Sequence, residues 1–161
     1  MGRAVTPPFP AIRPAIRRTD ARDMGGLARL HAGSFEERWS RDAFARVLAL
    51  PSGFAFVARL EAETVGFVLG RIAADECEVL TLVVAPTQRR RGIGRALLAA
   101  TLGHAQGQGV RHAFLEVAAD NQPARALYAA AGFRRVGVRE GYYRRGASRI
   151  DAWTLKRALE G

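Results

Sequence analysis

The sequence is poor in the residues that build disulfides, metal clusters and membrane spans. Its 161 residues contain one cysteine, Cys77, which excludes an internal disulfide and a cysteine-based metal cluster. The three histidines, His31, His104 and His112, follow no metal-ligand spacing, so we predict no metal site. No apolar run approaches the roughly 20 residues of a membrane span, and residues 1–10 have no apolar signal core. We therefore expect a cytoplasmic protein with no membrane partner.

Lysine is also nearly absent. Lys156 is the only lysine, so 24 of the 25 basic residues are arginines, and the net charge is +10 at pH 7. A positive surface favours phosphate-bearing partners, although much of the arginine is equally consistent with a solvated surface. Since no zinc-finger spacing or basic-leucine pattern is present, we predict no specific nucleic-acid partner.

Length and patterning predict one domain. Residues 1–11 contain three prolines and are predicted to be a flexible N-terminal tail, and residues 12–161 are predicted to be the domain. Hydrophobic and polar periodicities in this domain give the order β-α-α-β-β-β-α-β-α-β-β. This order predicts an α+β or α/β fold with a mixed, mostly antiparallel central sheet flanked by helices. The last two strands, 133–140 and 150–155, are predicted to be joined by a polar loop at 141–149.

The most informative stretch runs from a buried strand into a helix. The strand is the apolar, β-branched run 79–84, which ends before Pro86, and the helix has apolar residues three to four positions apart. Gly92 and Gly94 lie where the helix begins. Backbone N–H groups at a helix start are unsatisfied and lie at its positive end, and a missing Cβ lets a phosphate approach them. The stretch therefore predicts a pyrophosphate cradle.

Two common phosphate loops do not fit this stretch. A dinucleotide-binding turn needs a third glycine where Leu97 stands, and an ATP-binding loop needs Lys-Ser/Thr after Gly94, where Arg95-Ala96 stands. Arg89-x-x-Gly92-x-Gly94 instead matches a signature of acetyl-coenzyme A (acetyl-CoA) binding. On this motif the chain resembles the GCN5-related N-acetyltransferases (GNAT). A glycine-containing turn beside a solvated basic run is the alternative.

A second block strengthens the resemblance. Residues 124–133 have the form Ala-x-x-Leu-Tyr-x-x-x-Gly-Phe after Asn121, which is similar to the pattern that often ends the GNAT fold. Within this family, the spacing of the motifs resembles the RimI-like branch more specifically. That branch acetylates the N-terminal α-amine of ribosomal proteins. The matching features of that branch are 35–40, Asp75-Glu76, 115–117, Asn121, Tyr128 and 141–143.

The resemblance implies two proton-transfer residues. Glu116 matches the general base of the RimI-like branch and Tyr128 matches its general acid. The alternatives are a surface glutamate in a salt bridge and a core aromatic. Departures from the branch are Thr81, in place of an asparagine, and the basic run extended by Arg90 and Arg91, so the acceptor pocket could differ.

The resemblance also implies acetyl-CoA as co-substrate. The backbone of the strand is expected to form hydrogen bonds with the pantetheine arm of acetyl-CoA, and the start of the helix is expected to bind the diphosphate. Asn121 either contacts acetyl-CoA or serves only as a helix cap. The predicted cofactor-binding residues are Leu82, Val83, Val84, Arg89, Arg90, Arg91, Gly92, Ile93, Gly94, Arg95, Ala96, Asn121 and Tyr128.

The acceptor side is predicted from aromatic residues on two loops. Phe35, Trp39, Tyr142 and Tyr143 are expected to flank the thioester, with Glu78 nearby, unless they serve only in loop packing. Aromatic walls with carboxylates suit the N-terminal α-amine of a protein, ribosomal or other. They would equally suit a polyamine or an aminoglycoside-like amine. We therefore predict an N-acetyltransferase that uses direct transfer in a ternary complex, most simply onto a protein N-terminus; a small-amine acetyltransferase and a non-catalytic acyl-CoA-binding domain are the alternatives.

Overall fold

The structure is a computed structural model that describes residues 13–34 and 39–160. The predicted tail at 1–11 and the candidate acceptor residue Phe35 lie outside the described residues. Within them, no helix combines the length and apolarity needed to cross a membrane.

The described elements follow the predicted order. The strands are β1 (Ala15–Arg18), β2 (Gly53–Leu60), β3 (Glu63–Ala73), β4 (Glu76–Val84), β5 (His112–Ala118), β6 (Arg134–Arg145) and β7 (Ser148–Ala158). The helices are α1 (Met24–Ala32), α2 (Arg41–Ala49), α3 (Ile93–Gly107) and α4 (Gln122–Ala130), with short 3₁₀ turns before α1 and after β4.

The seven strands within residues 13–34 and 39–160 form one sheet in the order β1-β2-β3-β4-β5-β7-β6. Among these described strands only β4 and β5 are parallel, and the other neighbours are antiparallel, so the predicted mixed, mostly antiparallel sheet is confirmed.

The sheet is covered on both faces because its central strands alternate between two cores. Val57 packs in a cluster with residues of α1 and α2, whereas the next residue, Ala58, packs with α3 and α4. Phe67 and Val68 of β3 alternate in the same way. The helices therefore form two layers: α1 and α2 on one face, and α3 and α4 on the other.

A gap opens between the two parallel strands. Their pairing ends at Val79–Leu115, and β4 has an extra residue, Leu80, relative to β3. Both strands continue beyond that pair, to Val84 and Ala118, but no described register pair joins them there. Backbone groups on these facing edges have no strand partner, so an extended ligand could pair with them.

The prediction of a loop at 141–149 is wrong. Most of it belongs to β6 and β7, which are joined by a tight turn at Gly146, where φ is 60°. β6 remains paired because a bulge between Arg139 and Tyr143 absorbs extra residues, including Gly141 with φ 58°. Charged residues suggested a loop, but β6 is an edge strand, where charged side chains reach solvent.

Candidate active site

The start of α3 has the backbone geometry that an anion site requires. Gly92 caps the helix in the left-handed region, with φ 81°, and accepts the first helical hydrogen bond from the Ala96 N–H at 3.0 Å. The N–H groups of Ile93, Gly94 and Arg95 precede this bond and have no acceptor one turn earlier in the helix. A Cβ on Gly92 would meet nothing within 4 Å. Glycine is therefore favoured here by its backbone conformation, and the free space in front of it is open to a ligand.

Gly94 has a different role from the one that we predicted for its missing side chain. A Cβ at Gly94 would lie 3.3 Å from Leu127 Cδ2 of α4 and 3.7 Å from side-chain atoms of Leu82 and Val84. The small residue thus lets α3 approach α4 and β4 closely, and does not clear space for a phosphate. Its backbone N–H remains part of the predicted cradle.

The arginine run borders the cradle. Arg89 Nε donates a hydrogen bond to the Val84 carbonyl at 3.3 Å, and Arg91 Nη1 donates one to Gln88 Oε1 at 3.2 Å. Arg90 has a positive φ of 62°, and all three arginines are exposed. The run therefore places cationic side chains beside unpaired amides, as a polyanionic ligand requires.

Glu116 lies in β5, just beyond the last residue that pairs with β4. Its Oε1 is 2.9 Å from Arg139 Nε, and the Arg139 guanidinium lies 5.4 Å from the ring centroid of Tyr142. The rings of Tyr142 and Tyr143 are 5.1 Å apart. The fold thus brings the candidate base together with both candidate acceptor tyrosines.

The candidate acid adjoins this cluster. Tyr128 is 7% exposed, and its ring packs edge-on against Phe133 at 6.0 Å. Burial, with a smaller contribution from Tyr143, raises the pKa of Tyr128 to about 12. Burial and the nearby charge of Glu116 raise the pKa of Tyr143 to about 12. Tyr143 therefore lies within electrostatic range of both Glu116 and Tyr128, and both phenols are protonated at neutral pH.

Two other candidates have structural roles in the described contacts. Asn121 Oδ1 accepts a hydrogen bond from the Ala124 N–H at 3.2 Å, so Asn121 is the N-cap of α4. The Trp39 ring packs against His31 and Phe44, with centroids 5.7 and 5.3 Å apart. Contacts of either residue with acetyl-CoA or an acceptor remain predictions.

Glu78 lies on the same face of the sheet as Glu116. It is opposite Phe114 in β5, two residues before Glu116, and side chains two residues apart in a strand share a face. Glu78 is also paired with Arg71 through an Nη2–Oε2 distance of 2.6 Å. Its carboxylate therefore projects from the same face as Glu116, but already has a cationic partner.

Sequence reasoning missed Arg139. Nothing in its sequence spacing relates it to Glu116, since the two residues meet only because β6 and β5 flank the same strand, β7.

The site has the features of an acyl-CoA-dependent transferase: a helix start suited to anions, an open strand edge, and a carboxylate within electrostatic range of a half-buried phenol that adjoins a buried one. Residues 24–133 match the Acetyltransferase (GNAT) family. The chain belongs to this family and is an N-acetyltransferase, as the sequence motifs predicted.

Within the family, the chain is similar to RimI-like enzymes. It is 42% identical over 148 residues to the N-alpha-acetyltransferase RimI of Mycobacterium tuberculosis, and the match covers 89% of each chain. The crystal structure of the ribosomal-protein-S18-alanine N-acetyltransferase from Escherichia coli superposes with a TM-score of 0.85 at 26% identity, covering 92% of this chain and 95% of that one. Arabidopsis thaliana NAA60 in complex with acetyl-CoA superposes with a TM-score of 0.80 at 26% identity, covering 92% and 99%. The predicted GNAT fold and RimI-like resemblance are confirmed.

Proposed function

We propose that this protein transfers the acetyl group of acetyl-CoA directly to the N-terminal α-amine of a protein. The observation that carries the proposal is the position of Glu116, which follows the last paired residue of β5 at the open edge between β4 and β5. Tyr143 lies within electrostatic range of Glu116, and Tyr128 lies within range of Tyr143. The relatives support it, since the M. tuberculosis protein is called an N-alpha-acetyltransferase and the E. coli protein a ribosomal-protein-S18-alanine N-acetyltransferase.

The donor half fits acetyl-CoA, which supplies an activated acyl thioester. The amides at 93–95 and the arginines at 89–91 hold its diphosphate and phosphate charges. The edge of β4 at 82–84, which has no strand partner, binds the extended pantetheine arm by backbone hydrogen bonds, and an N–H there polarises the thioester carbonyl.

The acceptor half moves two protons. An α-ammonium group has a pKa near 8, so Glu116 takes its proton at neutral pH and leaves a nucleophilic amine. Tyr128, with a pKa of about 12, remains protonated and donates a hydrogen bond to the departing sulfur. It yields its proton as negative charge develops on that sulfur, and it regains a proton from the nitrogen that becomes the amide.

A polyamine acceptor is less well supported than a peptide. Glu116 is already paired with the guanidinium of Arg139, and Arg144, Arg145 and Arg149 are exposed on the same hairpin. An amine with several positive charges would meet like charges here, whereas an N-terminal amine brings a single charge.

The proposal is tested with a panel of acceptors. Purified protein is mixed with acetyl-CoA and with peptides of varied first residue, the same peptides blocked at the N-terminus, or spermidine; thiol release is followed and the acetyl group is located by mass spectrometry. We expect acetylation only at free N-terminal α-amines. Turnover of spermidine alone, or acetylation of blocked peptides at lysine alone, would contradict the proposal.

A further inference from the structure

Arg139 is the described ion-pair partner of the carboxylate that the proposed function uses as a base. We propose that Arg139 is a positioning residue for Glu116: its guanidinium occupies one carboxylate oxygen and orients the other towards the acceptor amine. This inference rests on the proposed function, because Arg139 acts in it only through Glu116.

The sheet register explains how the two side chains meet. In antiparallel pairs, residues directly opposite each other point to the same face. Glu116 lies opposite Thr154 and Ala118 opposite Ala152, and on the other side of β7 Ala152 lies opposite Arg139. Since only methyl groups stand at Ala118 and Ala152, the arginine can extend across β7 to reach Glu116.

The pair has a defined geometry. The contact uses Nε, which is nearer the chain than the terminal nitrogens and therefore samples fewer positions. The guanidinium is also held over the ring of Tyr142 at 5.4 Å. In addition, Arg139 is the last paired residue before the β6 bulge, so its backbone is fixed by β7. A carboxylate held in this way keeps one orientation.

Stability does not account for this arrangement. The Arg139 side chain is 60% exposed and that of Glu116 is 21% exposed. Ion pairs this open to solvent contribute about 0–1 kcal/mol. Variants at Arg139 should therefore fold normally, and an effect of the pair should be visible in the reaction.

A double-mutant cycle tests the proposal. Arg139→Ala should lower kcat roughly 10- to 100-fold, the range expected when a reacting group is misplaced, and should leave the KM for acetyl-CoA and the Tm unchanged. In the Glu116→Gln background, Arg139→Ala should have little further effect, because the two residues act as one unit. Arg134→Ala, an exposed arginine on the same strand, serves as the matched control and should retain wild-type kcat.

Chemical rescue distinguishes a positioning role of Arg139 from a purely structural one. Methylguanidinium should partly restore kcat of Arg139→Ala but not of Glu116→Gln, and urea, a neutral analogue, should restore neither. Wild-type kcat in Arg139→Ala, or an equal loss in both backgrounds, would overturn this inference and leave the proposed function intact. Wild-type kcat in Glu116→Gln would instead overturn the role of Glu116 in the proposed function.

Discussion

The donor and acceptor halves of the site are built from different groups. The proposed donor half relies mainly on backbone: the amides at 93–95, which follow a glycine with φ 81°, and the edge of β4 that has no strand partner, with the arginine side chains at 89–91 beside them. The acceptor half consists of side chains from three elements, with Glu116 on β5, Tyr128 on α4, and Arg139 and Tyr143 on β6. One half therefore depends on local backbone conformation, and the other on strand register. Substitutions should separate binding of acetyl-CoA from transfer of its acetyl group.

The largest effect is expected from Glu116→Gln. Loss of the base should lower kcat roughly 10²- to 10⁴-fold, while the Kd for acetyl-CoA is unchanged because the donor half is intact. Steady-state thiol release and calorimetry measure the two quantities. Glu63→Gln, an exposed glutamate on β3, is the control. Weakened acetyl-CoA binding in Glu116→Gln would show that the two halves are not separable.

Tyr128→Phe should have the next largest effect. The substitution keeps the ring packed on Phe133 and removes only the hydroxyl, so we expect kcat to fall roughly 10²-fold with little change in Tm below pH 9. Single-turnover measurements with saturating acetyl-CoA report the transfer step itself. Unchanged transfer would leave Tyr128 a packing residue.

Alkaline pH should affect the acceptor half, because its phenols titrate and the donor amides do not. The folded-state pKa of Tyr128, about 12, lies above the unfolded value near 10. Its stabilising contribution is thus fully present below pH 10 and is lost as pH rises to about 12. Between pH 10 and about pH 12, the free energy of unfolding of the wild type should fall by about 2–3 kcal/mol more than that of Tyr128→Phe. Chemical denaturation at each pH measures this difference. Parallel curves for the two proteins would contradict the burial of this phenol.

Gly92→Val tests the donor half. A β-branched residue at φ 81° costs about 1–2 kcal/mol, so the helix start should rearrange and acetyl-CoA affinity should fall roughly 5- to 30-fold. Maximal kcat should stay near the wild-type value. Gly92→Asn is the matched control, since asparagine tolerates the left-handed region and should retain more affinity. Equal Kd values for the two variants would exclude a role for this conformation.

The donor half could be predicted from sequence because its signals are local. Gly92 marks the helix start, and the apolar spacing of Ile93 and Leu97 marks the helix that follows. The acceptor half could be predicted only in part. Tyr142 and Tyr143 were expected on a loop, since β6 carries arginines on a solvated edge and its bulge depends on pairing with β7. The meeting of Arg139 with Glu116 requires the registers of three strands, which no local pattern encodes.

The most direct test is a titration of ¹⁵N-labelled protein with acetyl-CoA, followed by amide chemical shifts. Binding of the diphosphate at the start of α3 and of the pantetheine arm along β4 predicts the largest shifts at 93–95 and 82–84, with smaller changes around Arg139. Saturable binding of acetyl-CoA without chemical-shift changes at the amides of 93–95 would contradict a cradle made by these amides.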